Sequence, residues 1–217
     1  MKFADNRTDF VINLSEIKKD DSVLTVGVAH IPEIEQLIEL KTKKSNCIDI
    51  DSNKIEHAKK YAKKTNFIKG DITKQNIKLA NKFDTIIMLE VLEHLKNDHL
   101  ALKNIRNMLR KNGKLIISVP NKHPLHFLNP LLYTQHERHY NLQELLEILK
   151  KSGFKIKYYN TVESPKLIFD LYVHLFCKYI LRKSVRFAIL TGKKDKTYLK
   201  NNSVSKGLDS LVVALKN

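Results

Sequence analysis

The stretch FDTIIMLEVLEHL, Phe83–Leu95, decides the fold of this 217-residue chain. Its first half is a short apolar run, typical of a strand that is buried on both faces. Its second half places Glu90, Glu93 and His94 directly after that run, where a helix is expected to start. The pattern predicts one βα unit of a parallel sheet, with polar side chains at the carboxyl end of the strand.

Similar units flank this one on both sides. Short runs rich in Val, Ile and Leu alternate with longer helical patterns, as expected for a mostly parallel sheet covered by helices. Strands are predicted at Ser22–Gly27, Asn46–Ile50, Asn66–Lys69, Phe83–Leu89, Lys114–Val119, Phe154–Tyr159 and Ser210–Leu215. Helices are predicted at Pro32–Leu40, Ser52–Lys64, His99–Arg110 and Asn141–Lys151.

Caps and turns separate these elements. Asp51 or Ser52 can cap the second helix, and Glu56 can complete a capping box there. The residues Lys111–Gly113 are predicted to stop the third helix and to turn into the next strand. We find no internal repeat and no low-complexity linker in the sequence. We therefore expect a single domain over residues 1–217, built as a three-layer α/β/α sandwich.

The composition is that of a basic globular protein. Lys and Arg number 39 and Asp and Glu number 23, so the formal net charge is +16, while 42% of the residues are hydrophobic and 29% are charged. These fractions exclude disorder, collagen and coiled coil as the main architecture. Lysines are spread in pairs over most of the chain, so we interpret the charge as a solvated surface rather than as a nucleic-acid site.

Cysteine usage and the first residues bear on the cellular compartment. Cys47 and Cys177 cannot form a disulfide framework, and no Cys/His spacing is that of a zinc site, so no metal is expected. Charges near the N-terminus leave no room for a signal peptide, and no apolar run is long enough to span a membrane. We expect a reduced, cytoplasmic protein, soluble or peripheral to the membrane.

Small and acidic residues follow the first four predicted strands. Gly27 ends the first strand and would let the turn approach a ligand closely. Asp49 ends the second strand, where a carboxylate can accept hydrogen bonds from a ribose diol, and Asp71 follows the third. Glu90 follows the fourth. Ligands of open parallel sheets bind at these strand ends, so the four positions together predict a binding site.

Through these residues the sequence resembles a known family, the class I S-adenosylmethionine-dependent methyltransferases. The resemblance covers roughly residues 20–160 and the closing strand, and it points to the branch that methylates small molecules, quinones, sugars or lipids. It implies a seven-stranded sheet of order 3-2-1-4-5-7-6 with an antiparallel last strand. The matching segments are Cys47–Asp51, Phe67–Ile72, Phe83–Leu95, Met108–Asn121 and Gln135–Ile156.

The resemblance also implies roles in binding the cofactor, S-adenosylmethionine. Asp49 would bind both ribose hydroxyls, Asp71 the adenine amino group, and the backbone N–H of Ile72 an adenine ring nitrogen. Leu89 and Glu90 would flank the methionine part of the cofactor. The full predicted set is Val26, Gly27, His30, Asp49, Ile50, Asp71, Ile72, Leu89 and Glu90.

The glycine-rich turn departs from the family pattern, which has an acid followed by three alternating glycines. Thr25 stands in place of the acid, and Ala29 and Ile31 stand where the second and third glycines would be. A divergent subset of the family carries a histidine here, as this chain does with His30. One interpretation is an altered but competent pocket, with His30 near the carboxylate of the cofactor. The other is a scaffold that has lost the cofactor.

Candidates for acceptor chemistry lie in the loop before the helix at Asn141. His136 or His139 could deprotonate a hydroxyl acceptor, because the pKa of histidine lies near neutrality. The alternative is that the polar residues of this loop only brace a lid over the site. No catalytic residue is fixed by the sequence.

A helical, basic insertion is predicted at about residues 163–207, between the last two strands. Within Lys166–Leu190, basic and polar residues recur every fourth position along one ridge, and the rest of the surface is apolar. Three interpretations stay open for this segment: a cap over the acceptor pocket, a homodimer contact, or contact with a membrane surface.

The predicted function is methyl transfer from S-adenosylmethionine to a small-molecule or lipid-linked acceptor. A first alternative is a non-catalytic adaptor of the same fold that contacts protein or membrane. A second alternative is an RNA methyltransferase. The net charge favours it, but this sequence has no motif such as N-P-P-Y after the fourth strand.

Overall fold

The computed structural model describes residues 6–75, 82–122, 137–162 and 209–217. Their strands are β1 (Ser22–Val26), β2 (Lys44–Asp49), β3 (Asn66–Lys69), β4 (Phe83–Leu89), β5 (Leu109–Pro120), β6 (Phe154–Val162) and β7 (Asp209–Lys216). Their α-helices are α1 (Asn6–Ser15), α2 (Glu33–Lys41), α3 (Ser52–Ala58), α4 (Asp98–Met108) and α5 (Leu142–Lys151), with a short 3₁₀ helix at Leu92–His94.

The strands form one seven-stranded sheet in the order β3-β2-β1-β4-β5-β7-β6. The neighbours from β3 to β5 pair in parallel, whereas β7 runs antiparallel to both β5 and β6. This confirms the predicted fold class, strand order and antiparallel last strand. The chain order reverses between β1 and β4, so a cleft opens at the carboxyl ends of these two strands.

Helices cover both faces of the sheet, as expected for strands buried on both sides. On one face, α1 and α2 pack against alternate residues of β1 and β4 such as Val23 and Ile87. On the other face, α4 and α5 pack against the intervening residues, among them Leu24 and Ile86. Because side chains alternate along a strand, Thr25 faces the side of α2.

The second predicted helix is shorter than expected. It was predicted over Ser52–Lys64, but α3 ends at Ala58 and continues as a turn. The carboxylate of Glu39 in α2 accepts hydrogen bonds from the backbone N–H groups of Lys64 and Thr65, which holds this segment out of a helix. The predicted capping box is also wrong, because Asp51 caps α3 and Glu56 pairs instead with Lys59.

The turn predicted at Lys111–Gly113 lies inside a strand. Strand β5 begins at Leu109, directly after α4, and pairs Leu109 with Phe83 and Lys114 with Thr85. The intervening residues therefore form a bulge, in which Asn112 adopts a φ of 60°. The chain is irregular at the predicted residues, but the strand does not end there, because the residues on both sides of them pair with β4.

Helix α1 was not predicted, since its apolar run is only a few residues long. It is held by packing, because Val11 and Ile12 are buried against the sheet. None of the helices in the described ranges is long and apolar enough to cross a membrane. The insertion predicted at about 163–207 and the segment Lys166–Leu190 lie outside the described residues.

Candidate functional site

A cavity of about 840 Å³ lies at the carboxyl ends of β1, β2 and β4. Its wall includes seven of the nine residues predicted to bind the cofactor, and these come from four separate strand ends. They are Val26, Gly27, Asp49, Ile50, Asp71, Leu89 and Glu90. The fold thus brings distant sequence positions to one place, as the strand-end argument expects.

Gly27 turns the chain sharply at the end of β1. Its φ is +82°, and a Cβ placed on it would come within 2.5 Å of Cγ2 of Val91. Its backbone N–H donates to the carbonyl of Ile48, which holds the turn against β2. Any other residue here meets both backbone strain and a clash, so the one glycine left in this turn is the one that the turn requires.

Asp49 joins the turn after β1 to the start of α3. One carboxylate oxygen accepts a 2.7 Å hydrogen bond from the N–H of Val28, and the other accepts a 2.7 Å bond from the N–H of Asp51. The side chain is only 9% exposed, yet it forms part of the cavity wall. Each oxygen keeps a second lone pair that can accept a ligand hydroxyl.

Asp71 forms a tight turn after β3. Its Oδ1 atom accepts from both the backbone N–H and the hydroxyl of Thr73, at 2.8 and 2.6 Å. The hydroxyl bond is the main reason that the pKa of Asp71 lies below its ordinary value. Both bonds converge on one oxygen, so the carboxylate is oriented by the turn. The neighbouring Ile72 is buried and does not line the cavity.

Glu90 follows β4 in a strained conformation, with a φ of 53°. Its backbone N–H donates to the carbonyl of Ser118, and the hydroxyl of Ser118 donates to Oε1 of Glu90 at 2.7 Å. Strand β5 therefore holds both the backbone and the side chain of Glu90. Residues that several contacts hold in a strained backbone conformation are common at binding sites.

His30 contacts helix α3. Its ring stacks on that of His57 in α3, with centroids 4.5 Å apart and planes 11° apart. His30 is exposed and is not part of the cavity wall. The stack fastens the turn after β1 to α3.

Glu35 is a residue of the cavity wall that the sequence analysis missed. It is 3% exposed, and its Oε1 accepts a 2.6 Å hydrogen bond from the hydroxyl of Thr25. Burial raises the pKa of the Glu35 carboxyl, although the Thr25 bond opposes this effect. The signal that could have found it is the threonine at the acid's place followed by a glutamate in the first turn of α2.

The thiol of Cys47 in β2 completes this buried group. Cys47 is fully buried, and burial raises the pKa of its thiol, as does the nearby charge of Glu35. Thr25 and Cys47 are register partners on adjacent strands, so they point to the same face as Glu35. Cys47 therefore packs as a small apolar residue, as its sequence context suggested.

The segment after β4 forms the opposite wall of the cavity. His94, Leu95 and Lys96 line it, and the Nε2 atom of His94 lies 4.0 Å from Oε1 of Glu93. Glu93 is 1% exposed, whereas the side chain of His94 is 45% exposed. The imidazole of His94 thus faces the cavity while a buried carboxylate lies next to it in the chain.

His139, one of the two predicted acceptor-site histidines, is half-buried beside this wall but does not line the cavity. Its neighbours Arg138 and Tyr140 both donate to Oδ2 of Asp98, at 2.9 and 2.7 Å. Burial and this bond raise the pKa of the Tyr140 phenol. In the described part of this loop, Arg138 and Tyr140 therefore tie the chain to the start of α4. His136 lies outside the described residues.

Comparisons with known proteins agree with the fold. A family model described as a methyltransferase domain matches residues 7–158. The YcgJ protein of Bacillus subtilis has a similar structure, with a TM-score of 0.67 and 13% identity over 97% of each chain. The N-methyltransferase NodS of Bradyrhizobium japonicum, solved with S-adenosyl-L-homocysteine, has a TM-score of 0.63 and 17% identity over 97% of this chain and 85% of its own.

A curated relative extends the comparison. The ubiquinone biosynthesis O-methyltransferase of Pelagibacter ubique is 28% identical over an alignment of 125 residues, which covers 51% of this chain and 52% of that protein. The chain thus spans about half the length of this relative.

Proposed function

The chain belongs to the methyltransferase-domain family, and on that premise we propose that it transfers a methyl group from S-adenosylmethionine to a hydroxyl of a small or lipid-linked acceptor. The observation that carries the proposal is the single cavity that gathers Gly27, Asp49, Asp71 and Glu90. These residues come from four different strand ends and meet at one cavity.

The cavity residues fit this cofactor. A volume of about 840 Å³ is within the range of sites for small molecules and cofactors. Asp49 has unused acceptor capacity for the ribose hydroxyls, and the oriented carboxylate of Asp71 can accept from the adenine amino group. Exposed Ile50, at 65%, offers an apolar surface to the adenine. The Ile72 N–H, which does not line the cavity, stays a prediction as a further adenine contact.

Methyl transfer from this cofactor depends mainly on how the methyl group and the acceptor are aligned. When bound, S-adenosylmethionine supplies a methyl group that its sulfonium already activates for displacement. Gly27 and Leu89 would position the methionine part, so that the acceptor meets the methyl group in line from the side of His94. The rigid ties of Gly27 to β2 and of Glu90 to β5 keep these walls in place.

A hydroxyl acceptor must also lose a proton. His94 is the histidine on the cavity wall in the described part of the chain, and we assign proton acceptance to it. Oε1 of the buried Glu93 lies 4.0 Å from the Nε2 atom of His94. This role replaces His139, which does not reach the wall, and leaves His136 as a prediction.

The choice of oxygen as the acceptor atom is supported by the curated relative, which is named for O-methylation. Residues 1–217 would act as one domain, in which the insertion at about 163–207 shapes the acceptor pocket. Contacts of Lys166–Leu190 with an acceptor, a second copy or a membrane surface stay predictions.

Calorimetric titration with S-adenosyl-L-homocysteine tests the proposal. We expect micromolar binding by the wild type and its loss in Asp49→Ala. Asp51→Asn is the matched control, because it lies two residues away, keeps an N-cap oxygen for α3 and is not part of the cavity wall. Absence of binding by the folded wild type at millimolar ligand would refute the proposal.

Methyl transfer is then tested with a panel of phenols and catechols, with and without an alkyl tail. Transfer of a labelled methyl group to a hydroxyl in the panel is the expected result. Transfer only to amines would contradict the assignment of oxygen.

A further inference from the structure

We propose that Glu35 supplies the carboxylate missing from β1 and binds the ammonium group at the amino-acid end of the cofactor. The inference rests on the proposed function. It assigns to the first turn of α2 the acid that the family pattern places ten residues earlier, at the position of Thr25.

The two side chains meet inside the site. The hydroxyl of Thr25 donates to Oε1 of Glu35 at 2.6 Å, and both residues are part of the cavity wall together with Gly27. The Thr25 hydroxyl carries no charge, but its hydrogen bond can orient the carboxylate of Glu35. The carboxylate of Glu35 thus lies where β1 ends, although it comes from a helix.

No cation is among the groups with the largest effect on the pKa of Glu35, although Lys54 and Lys96 also lie on the cavity wall. In the described part of the chain those groups are the Thr25 hydroxyl, its own backbone N–H, the Cys47 thiol and the carboxylate of Glu39. None of these is cationic. A carboxylate that is 3% exposed without a cation is costly, and a cationic group of a ligand would offset that cost.

The other ends of the cavity are already assigned. Asp49 and Asp71 lie at the ends of β2 and β3, on the side proposed for ribose and adenine. Lys96 lies on the wall after β4, near the proposed acceptor. The floor at β1 therefore remains for the amino-acid part of the cofactor, and Glu35 is the buried acid at that floor.

Two probes separate this role from a structural one. S-adenosyl-L-homocysteine carries the ammonium group, and 5′-methylthioadenosine has the same nucleoside without the amino-acid part. Calorimetry compares both probes on the wild type, on Glu35→Gln and on Glu39→Gln. Glu39→Gln is the matched control, since it changes the same side chain one turn along α2, off the cavity wall.

We expect Glu35→Gln to lower the affinity for S-adenosyl-L-homocysteine by roughly tenfold or more, the size of a charge-assisted hydrogen bond. The affinity for 5′-methylthioadenosine should stay within about twofold of the wild-type value. Glu39→Gln should change neither affinity. Thr25→Asp combined with Glu35→Gln should restore the lost affinity, because it returns a carboxylate to β1.

Equal weakening of both probes by Glu35→Gln, or no weakening of either, would overturn the inference while the proposed function stands. If the wild type binds neither probe, both the proposed function and this inference are overturned. If Glu35→Gln melts below the working temperature, Glu35→Asp replaces it, and the same selective loss is expected because the shorter carboxylate is withdrawn from the floor.

Discussion

The phenol of Tyr140 donates a 2.7 Å hydrogen bond to the carboxylate of Asp98, a contact that spans 42 positions of the chain and joins the segment before α5 to the first residue of α4. Arg138 donates to the same oxygen, and its backbone N–H donates to the carbonyl of Glu93. One buried carboxylate thus anchors the wall of the cavity that carries His94.

Replacing Asp98 should destabilise the fold. Asp98→Ala leaves the buried phenol of Tyr140 without its acceptor and Arg138 without its ion pair, and we expect a loss of about 2–3 kcal/mol in unfolding free energy. Tyr140→Phe removes one donor only and should cost about 1 kcal/mol. Urea unfolding measures both, and equal costs would contradict the anchoring role of Asp98.

Gly27 should be needed for both stability and binding. Gly27→Ala places a Cβ at positive φ and within 2.5 Å of Val91, so we expect a cost of about 2 kcal/mol or more and loss of S-adenosyl-L-homocysteine binding. Gly153→Ala is the control, since its φ of +83° is close to that of Gly27 and its nearest neighbour is the flexible end of Arg106. It should cost about 1 kcal/mol and leave binding intact. Similar binding by the two variants would count against the role of Gly27.

His94 should affect turnover but not cofactor affinity. His94→Gln removes the proposed proton acceptor, so we expect kcat for methylation of the phenol to fall by roughly 10²–10⁴-fold. The affinity for S-adenosyl-L-homocysteine should stay within about twofold of wild type. His139→Gln serves as the control with little change in kcat. A larger loss of kcat in His139→Gln than in His94→Gln would instead assign proton acceptance to the loop before α5.

Asp84 should make stability depend on pH. Burial alone would raise the pKa of Asp84, but the hydrogen bonds from Arg110 and from the N–H of Ser22 outweigh it and hold the pKa below its ordinary value. A carboxyl of this kind stabilises the fold above its unfolded-state pKa, and that contribution is lost as the pH falls through the folded-state pKa.

Asp84→Asn should therefore flatten the loss of stability between about pH 5 and pH 2. Because Arg110 is half-exposed, the effect should not exceed about 1 kcal/mol. Urea midpoints across this range measure it, with the exposed Asp20→Asn as the control. A slope that Asp84→Asn leaves unchanged would show that other carboxyls carry the acid sensitivity.

The strand ends of the site could be predicted from the sequence because each depends on local information. Short apolar runs identify the strands, and the residue that follows each run is fixed by counting. Asp49 and Glu90 are 41 positions apart, yet the parallel order alone brings them to the same edge of the sheet. The same local logic failed at α3, where Glu39 draws the backbone of Lys64 and Thr65 out of a helix.

The sequence by itself determined the sheet, its order through the family resemblance, and the edge where the site lies, because hydrophobic periodicity and strand-end residues are properties of the chain. Only the tertiary structure decided which side chains share a contact. It placed Glu35 against Thr25, turned His30 onto His57 and set His94 on the cavity wall. These contacts depend on how a helix packs on the sheet, and a shift of one residue in that packing changes which side chain faces the cavity.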